Sequence, residues 1–118
     1  MSNSKRIDAE DFLPLAPAVF HILLSLGEGE RHGYALKREI ALRTGGKLTL
    51  GAGVLYGSIS KMLAQGLIEE SDDRPDPHLD DERRRYYRMT ALGRKVAQAE
   101  AARMRTLVDL ASVRFKHA

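Results

Sequence analysis

Apolar positions recur along the chain at two different periods, and the places where the period changes divide it into elements. Leu15, Val19, Phe20, Leu23, Leu24 and Leu26 fall close to helical spacing, which predicts a first helix from near Pro14, where proline is tolerated in the first turn, to a stop at Gly27 and Gly29. Tyr34, Leu36, Ile40 and Ala41 predict the inner face of a second helix from about Tyr34 to Thr44, with Lys37, Arg38 and Arg43 left in water and Gly45-Gly46 as its end. Lys47 to Leu50 then alternates polar with apolar, the pattern of a short strand. Gly51 and Gly53 permit a sharp turn into a third helix with Leu55, Ile59, Met62 and Leu63 inward and Gly66 at its end. Leu67 to Glu70 and Arg84 to Met89 read as two strand arms around a long loop containing Pro75 and Pro77. Thr90 is a good N-cap for a last helix running beyond Leu110.

Helix, strand, helix and then two strands around a loop is the order of a winged helix-turn-helix. The expected fold is therefore mainly α with a small β-wing, followed by a long C-terminal dimerisation helix. Three regions are expected: a flexible N-terminal segment over 1–13, fastened in part by Ile7 and Phe12; a winged helix-turn-helix DNA-binding domain over 14–89; and a dimerisation helix with its tail over 90–118. The last helix is long for the small body before it. Leu92, Val96, Ala99, Arg103, Leu107 and Leu110 mark a largely apolar stripe at steps of three and four, widened by Met104, Val108 and Ala111. Pairing with a second copy would cover this stripe; a helix folded back on its own core is the other way to do so.

At 118 residues the chain has room for one small core. Its net charge is only +3, but the distribution is uneven: residues 31 to 66 carry +5, residues 69 to 82 carry −7, and residues 83 to 118 carry +8. A basic helical unit and a basic C-terminal part thus straddle an acidic loop, a distribution uneven enough to constrain the function. Cysteine is absent, which removes disulfides, thiolate catalysis and Cys-based zinc sites together. Apolar runs are short and interrupted, so neither a membrane span nor a secretory signal is expected, and a cytoplasmic location is. Asp76, His78, Asp80 and Asp81 have oxygen and nitrogen donors, but their spacing matches no specific metal site and reads as a solvated acidic loop. His21 lies in an apolar run, His32 beside a turn and His117 in the tail; no nucleophile–base, carboxylate-pair or nucleotide-loop constellation has supporting context. Neither an enzyme nor a bound cofactor or metal is expected.

The combination of short strings is more specific than any one of them. HGY, LY, GLI, RRYY and TALG occur in this order within FHILLSLGEGERHGYALKREI, GGKLTLGAGVLYGSISKMLAQGLIEE and RRRYYRMTALGRKVAQAE, and over Pro14 to Leu110 the chain resembles the PadR family of transcriptional regulators. The resemblance implies a dimeric winged-helix DNA-binding protein, commonly a repressor responsive to a small effector, in the compact branch with a single C-terminal helix. It also implies that the helix bearing Leu55 and Tyr56 reads the groove. Two positions depart from the family's text, since Ala52 and Val54 stand where a proline and a threonine are frequent. The first gives up a rigid helix start and the second a hydroxyl that could cap the helix or hold a phosphate.

With the third helix buried through Leu55, Ile59, Met62 and Leu63, its outer side falls to Val54, Gly57, Ser58, Lys61 and Gln65. Lys61 can reach a phosphate or a guanine edge, Ser58 can hydrogen-bond either, and Gly57 allows close approach. Tyr56 either packs or extends its hydroxyl to phosphate. Arg31, Lys37, Arg38 and Lys47 are candidate positioning contacts, as are Arg84 and Arg85 from the run Arg83, Arg84, Arg85 and Arg88, although strand alternation cannot place all four on one face. Each has a plain reading as a solvated surface charge. A small apolar or aromatic effector would sit where paired bodies meet the last helices, lined by Phe20, Leu24, Met104 and Val108, unless these merely pack a dimer core. The competing function is a dimeric interaction module that uses Arg31, Lys61 and the arginine-rich strand against an acidic protein surface without specific DNA binding.

Overall fold

A computed structural model describes residues 8–71 and 85–116. A 3-10 turn, Ala9–Phe12, precedes helix α1, Pro17–Leu26, which starts on Pro17 and closes where the Gly27 N–H reaches the Leu23 carbonyl at 2.9 Å. Strand β1, Arg31–His32, leads directly into α2, Gly33–Arg43, and the His32 Nδ1 caps that helix by accepting from the Ala35 N–H at 3.1 Å. Helix α3, Ala52–Gln65, ends on Gly66 at φ +78°, with the Leu67 N–H closing back onto the Met62 carbonyl at 3.0 Å. Strands β2, Ile68–Glu70, and β3, Tyr86–Met89, follow. Helix α4, Ala91–Arg114, then starts on Thr90, whose hydroxyl oxygen accepts from the Gly93 N–H at 3.0 Å.

The three strands form one antiparallel sheet in the order β1-β3-β2, with Glu69 opposite Arg88 and Arg31 opposite Tyr87. Ile22, Leu23 and Leu26 from α1, Leu36 and Ile40 from α2, and Leu55, Ile59 and Met62 from α3 meet Leu67, Ile68, Tyr87 and Val96 in a single core. The helical hairpin and the wing are thereby fixed against one another, with α4 seated on α1, on β3 and on the Ala9–Phe12 turn.

Several expectations change. Lys47 to Leu50 is no strand: the Leu48 N–H is taken by the Thr44 hydroxyl at 3.0 Å, and Leu50 turns into the core. The third strand is instead Arg31–His32, too short to show an alternation in the sequence. Tyr34, expected inward, lies in the first turn of α2 at 54 % exposure, with the Arg38 guanidinium 5.9 Å from its ring centre. Leu24, also expected to pack, is exposed. The stripe on α4 has two owners, because Val96 is wholly buried in its own core and Leu92 packs against that core, whereas the helix emerges beyond Arg103. The N-terminal segment, expected to fray, contributes the Ala9–Phe12 turn, which lies against α4; Ile7 falls outside the described residues.

Candidate nucleic-acid interface

Helix α3 buries one face and leaves the other bare. Gly53, Val54, Gly57, Ser60, Lys61, Ala64 and Gln65 are exposed, and Ser58 is half-buried at the margin. A methyl group built on Gly53 or Gly57 would meet no atom within 4 Å, so the helix surface there is backbone that a flat or grooved partner can approach closely. No side chain caps its first turn, since Gly51 stands at the N-cap. The first N–H groups of α3 are therefore without a side-chain partner from that residue, and the positive end of the helix dipole faces the same way. Ser60 and Ala64, not picked out from the sequence, follow from the same geometry: with Ile59 buried, the next position must turn outward.

Tyr56 is half-buried against the start of α2. A Cβ on Gly33 would come within 2.5 Å of its hydroxyl oxygen, so the absence of a side chain at Gly33 makes room for the ring. Lys47 is exposed on the loop ahead of α3, Arg38 is exposed on α2, and Lys37 is half-buried.

Arg31, Arg85 and Arg88 are already engaged. Arg31 pairs with Glu39, approaches Glu28 at 3.7 Å and donates to the Glu30 carbonyl at 2.9 Å. Antiparallel register brings Arg88 to Glu69 at 2.8 Å, and its other end lies 3.7 Å from Glu30; Arg85 reaches Glu70 at 3.3 Å. Ser71 donates to the same Glu30 at 2.9 Å. The base of the wing is thus a network of acids and arginines in which Arg31 and Arg85, both candidate DNA contacts, already hold acidic partners. The cross-strand register, invisible in the linear text, supplies their partners. Arg83, Arg84 and the acidic loop with Asp76, His78, Asp80 and Asp81 lie outside the described residues.

On α4 the apolar surface continues past the body: Met104, Leu107, Val108, Leu110, Val113 and Phe115 are all exposed, Leu107 at 50 % and Phe115 at 68 %. Ala99 and Arg103, expected on the same seam, line an open cleft together with Leu107 and with Glu10 and Leu13 of the N-terminal segment. Of the residues assigned to an effector, Leu24, Met104 and Val108 are exposed and Phe20 is half-buried. No group of metal-binding side chains occurs, and no helix is long and apolar enough to cross a membrane, among the described residues.

A helical hairpin backed by a three-stranded wing and a long terminal helix is the architecture of winged-helix transcriptional regulators. The model of the transcriptional regulator PadR-like family matches residues 22–99, and the chain belongs to that family, whose members are transcriptional regulators rather than enzymes. A probable transcriptional regulator from Pseudomonas aeruginosa is 26% identical over 87% of this chain and 68% of its own, with a TM-score of 0.63. RosR of H. salinarum is 25% identical over 89% of this chain and 100% of its own, at a TM-score of 0.60. A PadR family transcription regulator from Clostridium difficile shares the fold at 18% identity and a TM-score of 0.65, over 82% of this chain and 96% of its own. No curated protein matches the chain.

Proposed function

We propose that this regulator binds a specific duplex sequence as a homodimer, with α3 in the major groove, and represses transcription by covering a promoter. The observation that carries this reading is the smooth outer face of α3, where Gly53 and Gly57 leave the backbone open while Val54 and Lys61 project beside them. Val54 offers an apolar contact to a thymine methyl, and Lys61 a charge to phosphate or to a guanine edge. Lys47 and Arg38 add positioning charge at the flanks, and the wing adds little net charge because its described arginines are paired. The uncapped start of α3, where Ala52 replaces a helix-starting proline, leaves N–H groups for a phosphate in place of a side-chain hydroxyl.

Selection from random duplexes at moderate salt tests this directly. A recovered palindromic or repeated half-site, bound with affinity that falls steeply as salt rises, supports it. Lys61→Ala should weaken binding to the recovered site by roughly tenfold while helical content and dimerisation hold. Recovery of no preferred duplex rejects sequence-specific DNA binding and leaves the protein-interaction module as the function of the same body.

A further inference from the structure

Lys61 and Asp11 face one cleft and do not meet. The cleft, about 350 Å³, lies between α3, which contributes Lys61 and Gln65, and the N-terminal segment with the start of α1, which contribute Asp11, Phe12, Leu15 and Val19. Neither Lys61 nor Asp11 forms an ion pair among the described residues. Opposite charges lining one cleft, together with the apolar side chains Phe12, Leu15 and Val19, suit a molecule that carries both charges and an apolar group. Its volume lies at the small end of the ~300–1,000 Å³ range of small-molecule sites. One wall is also firmly held, because the Leu15 N–H donates to the wholly buried Glu100 carboxylate of α4 at 2.9 Å.

We infer that this cleft binds an apolar α-amino acid, with its carboxylate on Lys61, its ammonium on Asp11 and its side chain against Phe12, Leu15 and Val19. An anion alone would be repelled by Asp11 and a cation alone by Lys61, whereas a zwitterion satisfies both. Gln65 can hydrogen-bond either head group. The consequence for regulation rests on the reading that Lys61 contacts DNA: an amino acid that engages the Lys61 ammonium withdraws it from phosphate, so occupancy lowers operator affinity. The link is competition for one side chain and needs no change in the dimer.

The test begins without DNA, by calorimetric titration of the full chain with L-leucine and L-phenylalanine. Leucinamide, which lacks the carboxylate, and 4-methylpentanoate, which lacks the ammonium, should each bind roughly tenfold or more weakly than leucine, and glycine should fail for want of a side chain. Lys61→Ala and Asp11→Asn should each weaken leucine binding to a similar degree. Asp11→Asn keeps the fold and the outer face of α3, so it should still bind the operator yet no longer release it when leucine is added. Absence of binding at millimolar amino acid, or equal affinity in both variants, overturns the site. Leucine binding that leaves operator affinity unchanged overturns the coupling. Leucine binding by a protein that selects no duplex upholds the site and places the failure in the DNA-binding reading instead.

Discussion

A methyl group added at Gly57 would meet nothing within 4 Å, whereas one added at Gly93 would lie 2.0 Å from the Leu67 carbonyl oxygen and 2.9 Å from the Met89 Cγ. Both glycines sit inside helices, where glycine costs about 0.5–1 kcal/mol relative to alanine, so the two substitutions should have opposite effects on stability. Gly93→Ala should lower the urea midpoint by an amount equivalent to a few kcal/mol, because the start of α4 must lift off the Leu67 backbone and the Met89 side chain of β3. Gly57→Ala should raise stability by roughly 0.5 kcal/mol or more and at the same time weaken operator binding several-fold, since the added methyl stands between the helix and the groove. Unchanged operator affinity in Gly57→Ala would move the reading surface elsewhere on the helix. His21 gives a separate prediction. Burial chiefly, and the positive Arg43 beside it, hold its imidazole pKa below the ordinary value, and Arg43 lies 3.1 Å from the Nδ1 and 2.7 Å from the Ser25 hydroxyl. The folded state therefore resists a proton that the unfolded state accepts. Stability from this group is complete above the ordinary imidazole value of about 6.5 and declines as pH falls below it. Urea midpoints at neutral and mildly acidic pH should differ less in His21→Gln than in the parent chain; an equal difference would assign the pH effect to another group.

The elements hold together through contacts of two kinds, and only one kind could be read from the chain. Caps and stops are local. Thr90 before α4, Gly66 after α3 and Gly45-Gly46 after α2 act within a few residues of where they stand, so these ends were legible, whereas α1 starts at Pro17 and not near Pro14. The strand expected at Lys47 to Leu50 failed because alternation reports an inward and an outward side but not the presence of a neighbouring backbone. The wing's ion pairs depend on register, and the outer face of α3 depends on which side α1 and α2 cover. Glu100 is the extreme case: a charged position left off the expected stripe, it is wholly buried between Arg103 and the Leu15 N–H, 85 positions away in the chain. The Arg103 hydrogen bond, against burial and with help from Leu15, holds its carboxyl below the usual range. Its stabilising contribution is therefore present at neutral pH and lost only as acid drives the pH through that lowered value, well below where His21 acts. Glu100→Ala should lower the thermal midpoint by several degrees and speed hydrogen exchange at the Leu15 amide, which loses its acceptor. Unaltered exchange there would show that the segment is held by its side chains alone.

Across the whole molecule the dominant imbalance is between a body with one small core and a 24-residue α4, roughly 36 Å long, whose far half leaves the body. Val96 and Glu100 anchor the near half; Leu107, Val108, Leu110, Val113 and Phe115 extend an exposed apolar surface along the far half. Scattered apolar residues on a surface are ordinary, but a run of them on a projecting helix favours a cover of matching shape, and in the proposed homodimer a second α4 related by a two-fold axis would supply it without any further component. In the proposed dimer such pairing would also set the spacing of two α3 helices, so that a duplex would meet them as two half-sites about one helical turn apart. Joint replacement of Leu107 and Leu110 by Glu places four like charges at the proposed seam of the pair while leaving Val96, Glu100 and the core untouched. Sedimentation should then report a monomer with near-native helical content, and binding to a two-half-site operator should fall to the level of a single half-site. A chain that remains dimeric with both substitutions would place the subunit contact elsewhere, and the operator spacing would then have to be derived from a different pair of surfaces.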